Sequence, residues 1–221
     1  IPSLYKELMK IPQESVMHVH VGRAISPEIS LLISNKKKIP YIAHIRTNSE
    51  PISLIGKIIL KPYKRLFLKR VLKDAKKIIT LNKDYKNLFA KTYDLDKKKF
   101  VVIPNSTDFK IIDKNKILIR KDIREILFVG RLTPEKNIDL IIKSIFLLEN
   151  REIILNLVGD GEYKDKLINL VNKFNLTNQI NFIGILNRKD LYKQYLKSDL
   201  VILPSKVECF SSVLLEAMAT G

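Results

Sequence analysis

The chain has 221 residues and a mass of 25.6 kDa; 46% of its residues are hydrophobic and 29% charged, with 7 glycines and 9 prolines. These values allow one large or two small globular domains and exclude wholesale disorder, collagen and low-complexity sequence. The formal charge is +17 and lies almost wholly in the first half: residues 1–125 hold 28 basic and 12 acidic side chains (+16), residues 126–221 hold 12 and 11 (+1). Such asymmetry implies two halves with different partners, the first suited to a polyanion such as nucleic acid, an anionic membrane surface or a phosphorylated acceptor. No apolar run approaches the ~18 residues of a spanning helix. A single cysteine, Cys209, cannot form an internal disulfide and fits a reducing compartment, and no secretory signal opens the chain. The start at Ile1 and the end at Gly221, just after a helical run, read as a piece of a longer protein lacking both ends.

In chain order, short β-rich segments alternate with longer helical ones. The predicted strands of the first half are 16–21, 40–46, 77–81 and 100–104, and those of the second are 126–130, 153–159, 180–184 and 200–204. Their spacing leaves room for one helix between successive strands, which predicts an α/β fold with two mostly parallel sheets. In the second half the helices should start near Asn137, Glu162, Arg188 and Ser211. The polar stretch 105–125 carries the step in charge, and the boundary is set within it: an N-terminal Rossmann-like domain at 1–115 and a C-terminal one at 116–221, both partial.

Between residues 61 and 77 the chain carries Lys61, Lys64, Arg65, Lys69, Lys73 and Lys76 at helical spacing, with Pro62 in the first turn. Leu68 and Leu72 share that stripe, while Tyr63, Phe67 and Val71 are expected to pack inward. A basic stripe bearing leucines suits adsorption to anionic lipid, at roughly 1 kcal/mol per cation. The alternative is a solvated lysine-rich helix.

Open parallel sheets bind ligands beyond the carboxyl ends of their strands. After the fifth strand, Gly130 permits a tight turn, and Arg131 and Lys136 place two cations at the sheet mouth, a pattern suited to a diphosphate or to a plain surface loop. After the sixth, Gly159-Asp160-Gly161 permits close backbone approach to a ligand or is a sharp turn. After the eighth, Glu208, Cys209, Phe210, Ser211 and Ser212 lead into a helix capped by Ser211 or Ser212, whose N–H groups suit phosphate oxygens. Glu208 and Glu216, eight positions apart, would repel a phosphate and so would face hydroxyls of sugar or ribose.

These residues resemble the retaining glycosyltransferases of family four, with the two-domain GT-B fold. That family's two glutamates separated by seven residues match Glu208 and Glu216, within Leu-Leu-Glu-Ala-Met-Ala at 214–219, and the Arg and Lys of its Gly-Arg-Leu-x-x-x-Lys loop fall on Arg131 and Lys136. Val158-Gly159-Asp160-Gly161, Phe182-Ile183-Gly184, Ser198-Asp199-Leu200 and Pro204-Ser205 continue the series; in the first half His-Val-His at 18–20, Asp74 to Ile79 and Val102 to Asn105 are similar.

The resemblance implies transfer of a sugar from a UDP- or GDP-linked donor to an acceptor, lipid-linked or polysaccharide, with retention at the anomeric carbon, no cofactor and no metal. Arg131 and Lys136 would neutralise the diphosphate, assisted by the helix start at Ser211 and Ser212; Glu216 would hold the ribose, and Glu208 would act at the donor sugar. The family has glycines where Cys209 and Ser211 stand, which implies a narrower or shifted donor pocket. It also carries a histidine where this chain has Arg46; alternation puts Arg46 on one face with His44, making both candidate catalytic residues, with a core role as the alternative for His44. His18 and His20 share a face and read as structural. The expected place is the cytoplasm, peripheral on the inner face of the cell membrane. Rival readings are a non-catalytic sugar-nucleotide binder, an epimerase or phosphorylase of similar fold, and a nucleic-acid-binding module; the last is disfavoured by the absence of Trp and of aromatic residues interleaved with the basic stripe.

Overall fold

A computed structural model describes residues 2–22, 26–46, 64–107, 122–149 and 152–220. The chain divides into two compact units, Ile1–Asn105 and Ser106–Gly221. Each carries one four-stranded, wholly parallel sheet, and all eight predicted strand segments contain a strand.

In the first unit the strands are β1 (Met17–Val21), β2 (Tyr41–Ile45), β3 (Lys77–Thr80) and β4 (Phe100–Val102), side by side in that order. Because every crossover steps the same way, a constant right-handed connection brings the helices to one face. On that face Met17, Val19, Val21, Tyr41, Ala43, Ile45, Ile78 and Phe100 pack against helix residues including Ile33, Val71, Leu72 and Phe89. Complete burial of side chains such as Ile33 and Leu72 stabilises the unit by roughly 1.5–3 kcal/mol each. The alternate residues of the strands point the other way: His18, His20 and Val101 are exposed, and Ile42, His44 and Ile79 half-buried. Tyr41, on the core face, donates its hydroxyl to the Val71 carbonyl.

The basic segment corrects the expectation for its apolar side. A π-helical turn, Lys64–Leu68, leads into the helix Lys69–Asp74; Leu68, Val71 and Leu72 are buried, whereas Leu66 and Phe67 are exposed. Val71 is inside as expected, but the core of the first unit also takes the two leucines assigned to the basic face, and Phe67, expected inside, is outside. Lys73 is exposed, and Lys69 lies 3.8 Å from Asp94. Lys61, Pro62 and Tyr63 lie outside the described residues, and Lys64 and Arg65 are described by backbone alone.

The second unit contains β5 (Glu125–Val129), β6 (Ile154–Val158), β7 (Ile180–Gly184) and β8 (Leu200–Val201), in the spatial order β7-β6-β5-β8. The chain steps outward from β5 to β7 and then returns to the other side of β5, so the connections cover both faces. Accordingly Ile126 and Phe128 join one core with Ile138, Ile142 and Leu167, while Leu127 and Val129 join a second with Tyr195. Asp199 fixes the entry to β8 by accepting hydrogen bonds from the N–H groups of Arg124 (2.9 Å) and Glu125 (2.8 Å). Asn187 caps the helix Arg188–Lys197 through the N–H of Asp190. Beneath the sheet ends, Asn156 is buried, donates to Glu125 at 2.7 Å and accepts from Asn181 at 3.0 Å; Lys197 pairs with the other Glu125 oxygen at 3.0 Å.

Candidate functional site

The return of β8 to the free side of β5 creates a topological switch point, where the loops beyond two adjacent parallel strands diverge and leave a crevice. Both loops singled out by composition leave from it: 130–136 follows β5, and 202–211 follows β8. The loops are tied together, since the Lys206 N–H donates to the Glu135 carbonyl at 3.0 Å. Lys136 Nζ stands 2.5 Å from Glu208 Oε1, the lysine side chain 18% exposed and the glutamate side chain, on an exposed stretch of loop, 32%. The structure therefore joins two predicted site residues that are 72 positions apart. Arg131 is more open, at 71%, and pairs with Glu135 at 3.5 Å.

The loop after β5 takes its shape from backbone packing. Gly130 donates its N–H to the Val158 carbonyl at 3.0 Å, and Leu132 donates to the Asp160 carbonyl at 3.0 Å. The close approach permitted by Gly159 and Gly161 is made to this loop: a Cβ on Gly159 would lie 1.9 Å from the Gly130 oxygen, and one on Gly161 2.4 Å from the Leu132 oxygen. These glycines therefore act as a backing for the residues flanking Arg131. Asn137, in the left-handed region at φ 57°, then turns the chain into the helix Ile138–Leu148.

Beyond β8, Ser211 caps the helix Ser212–Thr220, its hydroxyl accepting from the Leu214 N–H at 3.4 Å. This first turn brings N–H groups and the positive end of the helix dipole to the loop that carries Glu208. Cys209 and Phe210 are half-buried in the same loop. Glu216 sits one turn inside the helix and accepts a 2.9 Å hydrogen bond from the hydroxyl of Tyr195. Burial, and then the Glu216 carboxylate, push the Tyr195 phenol well above its ordinary range, so it is a fixed donor that orients Glu216. Tyr195 went unnoticed in the sequence because its helical spacing marks only a core position. Thr133 and Ser205 were not among the sequence candidates. Their hydroxyl oxygens are buried without a hydrogen-bond partner among the described residues, one in each loop of the crevice.

His44 and Arg46 belong to the first unit. His44 is half-buried on the sheet face opposite the core, and Arg46 follows the last residue of β2 and is exposed. His18 and His20, read as structural, are instead exposed and gathered with His44: the three ring centroids lie 4.8–5.2 Å apart. His18 Nε2 is 3.1 Å from His44 Nδ1. Desolvation and then neighbouring positive charge, from His18 and Arg46 at His20 and from His20, His18 and Arg46 at His44, lower both pKa values below the ordinary histidine range.

The comparisons agree with the organisation of the second unit. The family model described as "Glycosyl transferases group 1" matches residues 109–221. An uncharacterized glycosyltransferase of Methanocaldococcus jannaschii is 37% identical over 117 residues, covering 52% of this chain and 30% of that protein. The N-acetylgalactosamine-N,N'-diacetylbacillosaminyl-diphospho-undecaprenol 4-alpha-N-acetylgalactosaminyltransferase of Campylobacter jejuni is 32% identical over 123 residues, 55% of this chain and 33% of its own length. Among solved structures, Anabaena Alr3699/HepE in complex with UDP and glucose superposes with a TM-score of 0.75 at 18% identity, over 99% of this chain and 60% of that one. The likeness to that structure concerns fold, and the two parallel α/β units are those of the GT-B class. The chain spans half or less of the length of the curated relatives it matches. With a model matching half of its residues, the chain belongs to the group 1 glycosyl transferase family.

Proposed function

We propose that this chain carries the donor site of a glycosyltransferase that moves a sugar from a nucleoside diphosphate sugar to an acceptor, with retention of anomeric configuration. The observation that carries the reading is the convergence of Lys136 and Glu208 across the β5–β8 switch point, beside Arg131 and the helix start at Ser212. When the bond between the anomeric carbon and the diphosphate oxygen breaks, the electron pair leaves on the diphosphate. Arg131, Lys136 and the N–H groups of Ser212 and Val213 then oppose the growing negative charge, and fixed charges that act mainly in the transition state accelerate the step. In this reading side chains, rather than a metal, neutralise the leaving group.

Glu216, held from one side by Tyr195, has a second oxygen to offer to ribose hydroxyls. Glu208 takes the donor sugar's hydroxyls once the diphosphate engages Lys136. Residues 1–105 form the acceptor side, with His44 and Arg46 as its candidate catalytic groups. The relative whose name specifies an undecaprenol diphosphate substrate supports a lipid-linked acceptor, as does the basic surface at Lys69 and Lys73. That surface would hold the enzyme to the cytoplasmic leaflet by charge, with Leu66 and Phe67 as its apolar contacts in place of Leu68 and Leu72.

The test is binding of UDP, GDP and the parent nucleosides, together with sugar release from a panel of nucleotide sugars, by wild type, Arg131→Ala and Glu216→Ala. Arg131→Ala should weaken diphosphates and spare nucleosides, while Glu216→Ala should weaken both. Equal binding by all three proteins would overturn the assignment.

A further inference from the structure

The face of the first sheet turned away from its core carries three imidazoles within reach of one ion. His18 and His20 are alternate residues of β1, and His44 is the register partner of His20 on β2. Alternation therefore aims all three at the same side, and one ring nitrogen from each lies within 4.8 Å of the others. Two ligands spaced i, i+2 on one strand with a third on its neighbour are held by backbone hydrogen bonds rather than by a loop, so their Cα positions are fixed. At His44 it is Nδ1 that faces His18, while Nε2 is buried with no hydrogen-bond partner among the described residues.

We propose that His18, His20 and His44 form a three-histidine site for a divalent transition-metal ion of the zinc type. Tetrahedral zinc takes imidazole nitrogens at about 2.0–2.1 Å, which places ligand nitrogens about 3.3 Å from one another. The His18–His44 pair already stands at 3.1 Å. The rings are now close to parallel, with interplanar angles of 9–31°, so their nitrogens do not yet converge. Rotation about χ2, a broad torsion in histidine, supplies the closure without movement of the strands. Among the described residues the donor set is all imidazole, which selects zinc, nickel or copper over magnesium and calcium, which require oxygen. Three protein ligands leave the fourth position open to water or an anion, and the charge of Arg46, felt at both His20 and His44, favours an anion there while weakening the metal's own affinity.

The experiment strips the purified 221-residue chain with a chelator, dialyses it, and titrates it with Zn2+ by calorimetry and with Co2+ by visible spectroscopy. One Zn2+ per chain should bind, Mg2+ should not, and Co2+ should give the d–d bands of a four-coordinate nitrogen site. His18→Gln, His20→Gln and His44→Gln should each weaken Zn2+ by roughly tenfold or more, with circular dichroism confirming the fold. Arg46→Gln should tighten binding. Binding well below one ion per chain, a six-coordinate cobalt spectrum, or Zn2+ binding that survives the triple His→Gln variant would overturn the site. Because the readout is metal binding, either result leaves the donor-site reading of the second unit standing or falling on its own test.

Discussion

Replacing Gly159 with alanine tests whether the loop that carries Arg131 is held by backbone packing from behind. The new Cβ would sit 1.9 Å from the Gly130 oxygen, so reaching the 3.4 Å of an ordinary contact requires the two strand ends to part by about 1.5 Å. That movement strains the hydrogen bonds from Gly130 N to Val158 O and from Gly159 N to Gly184 O, at 3.0 and 2.8 Å. Gly159 also has φ +132°, a conformation closed to side chains at roughly 1–3 kcal/mol. Overpacking adds roughly 1–3 kcal/mol, for a total near 4 kcal/mol, a large share of the ~5–15 kcal/mol that holds a domain together. Two companions separate the contributions. Gly184→Ala, at φ +81° with no atom within 4 Å of the new Cβ, carries conformational strain alone and should cost roughly 1–2 kcal/mol. Gly161→Ala meets Leu132 backbone without a positive φ and should cost roughly 1–3 kcal/mol from contact alone. Urea unfolding followed by circular dichroism gives the three values, and UDP titration of the folded variants reports the loop. The order Gly159 above Gly161 and Gly184 is expected, with UDP affinity lost in Gly161→Ala and kept in Gly184→Ala. Equal costs for Gly159→Ala and Gly184→Ala would refute the packing argument.

Glu208→Gln should tighten UDP binding severalfold, by releasing Lys136 from its partner, while lowering sugar transfer; calorimetry beside a transfer assay reads both. Asn156→Ala leaves the Glu125 carboxylate and the Asn181 amide each short of a partner in a half-dry site and should cost roughly 1–3 kcal/mol in urea unfolding. Tyr41 and Tyr195, both buried, have phenols raised above the ordinary value near 10. Above that pH the unfolded chain loses protons that the folded chain keeps, so stability is full below pH ~10 and falls as pH rises, by up to roughly 1.4 kcal/mol per unit for each tyrosine. Tyr41→Phe should make the alkaline limb shallower in unfolding measured from pH 9 to 12, although it is less stable at neutrality through loss of the bond to Val71.

The strands were legible because burial leaves a simple mark. Residues such as Ile126 to Val129 form an unbroken apolar run when a strand is covered on both faces, and Met17, Val19 and Val21 alternate with histidines when it is covered on one. The helix at 69–74 was misread for a related reason. Leu68 and Leu72 fall with the lysines on a helical wheel, but the preceding π-helical turn changes the phase between 64 and 68, so the wheel drawn through Lys61 and Lys64 does not continue through Leu72. A constant 3.6-residue period cannot register such a shift.

Site residues divide along the same line between local and non-local information. Arg131, Lys136, Glu208 and Ser211 were visible as candidates because they lie in the segments that follow β5 and β8, where ligand-facing loops run. The pairing of Lys136 with Glu208 was not, because it depends on β8 returning to the side of β5, and strand order is not written in the spacing of strands. The histidines show the same limit. His18 and His20 disclose a shared face by alternation, but only the register of β1 with β2 sets His20 opposite His44 and turns three separate imidazoles into a cluster. Tyr195 was hidden for a different reason: a buried tyrosine looks like core until the acceptor of its hydroxyl is known, and here that acceptor is Glu216, 21 residues further along the chain. Chemistry read from sequence is thus strongest where one element supplies the group and weakest where the function lies in which two elements meet.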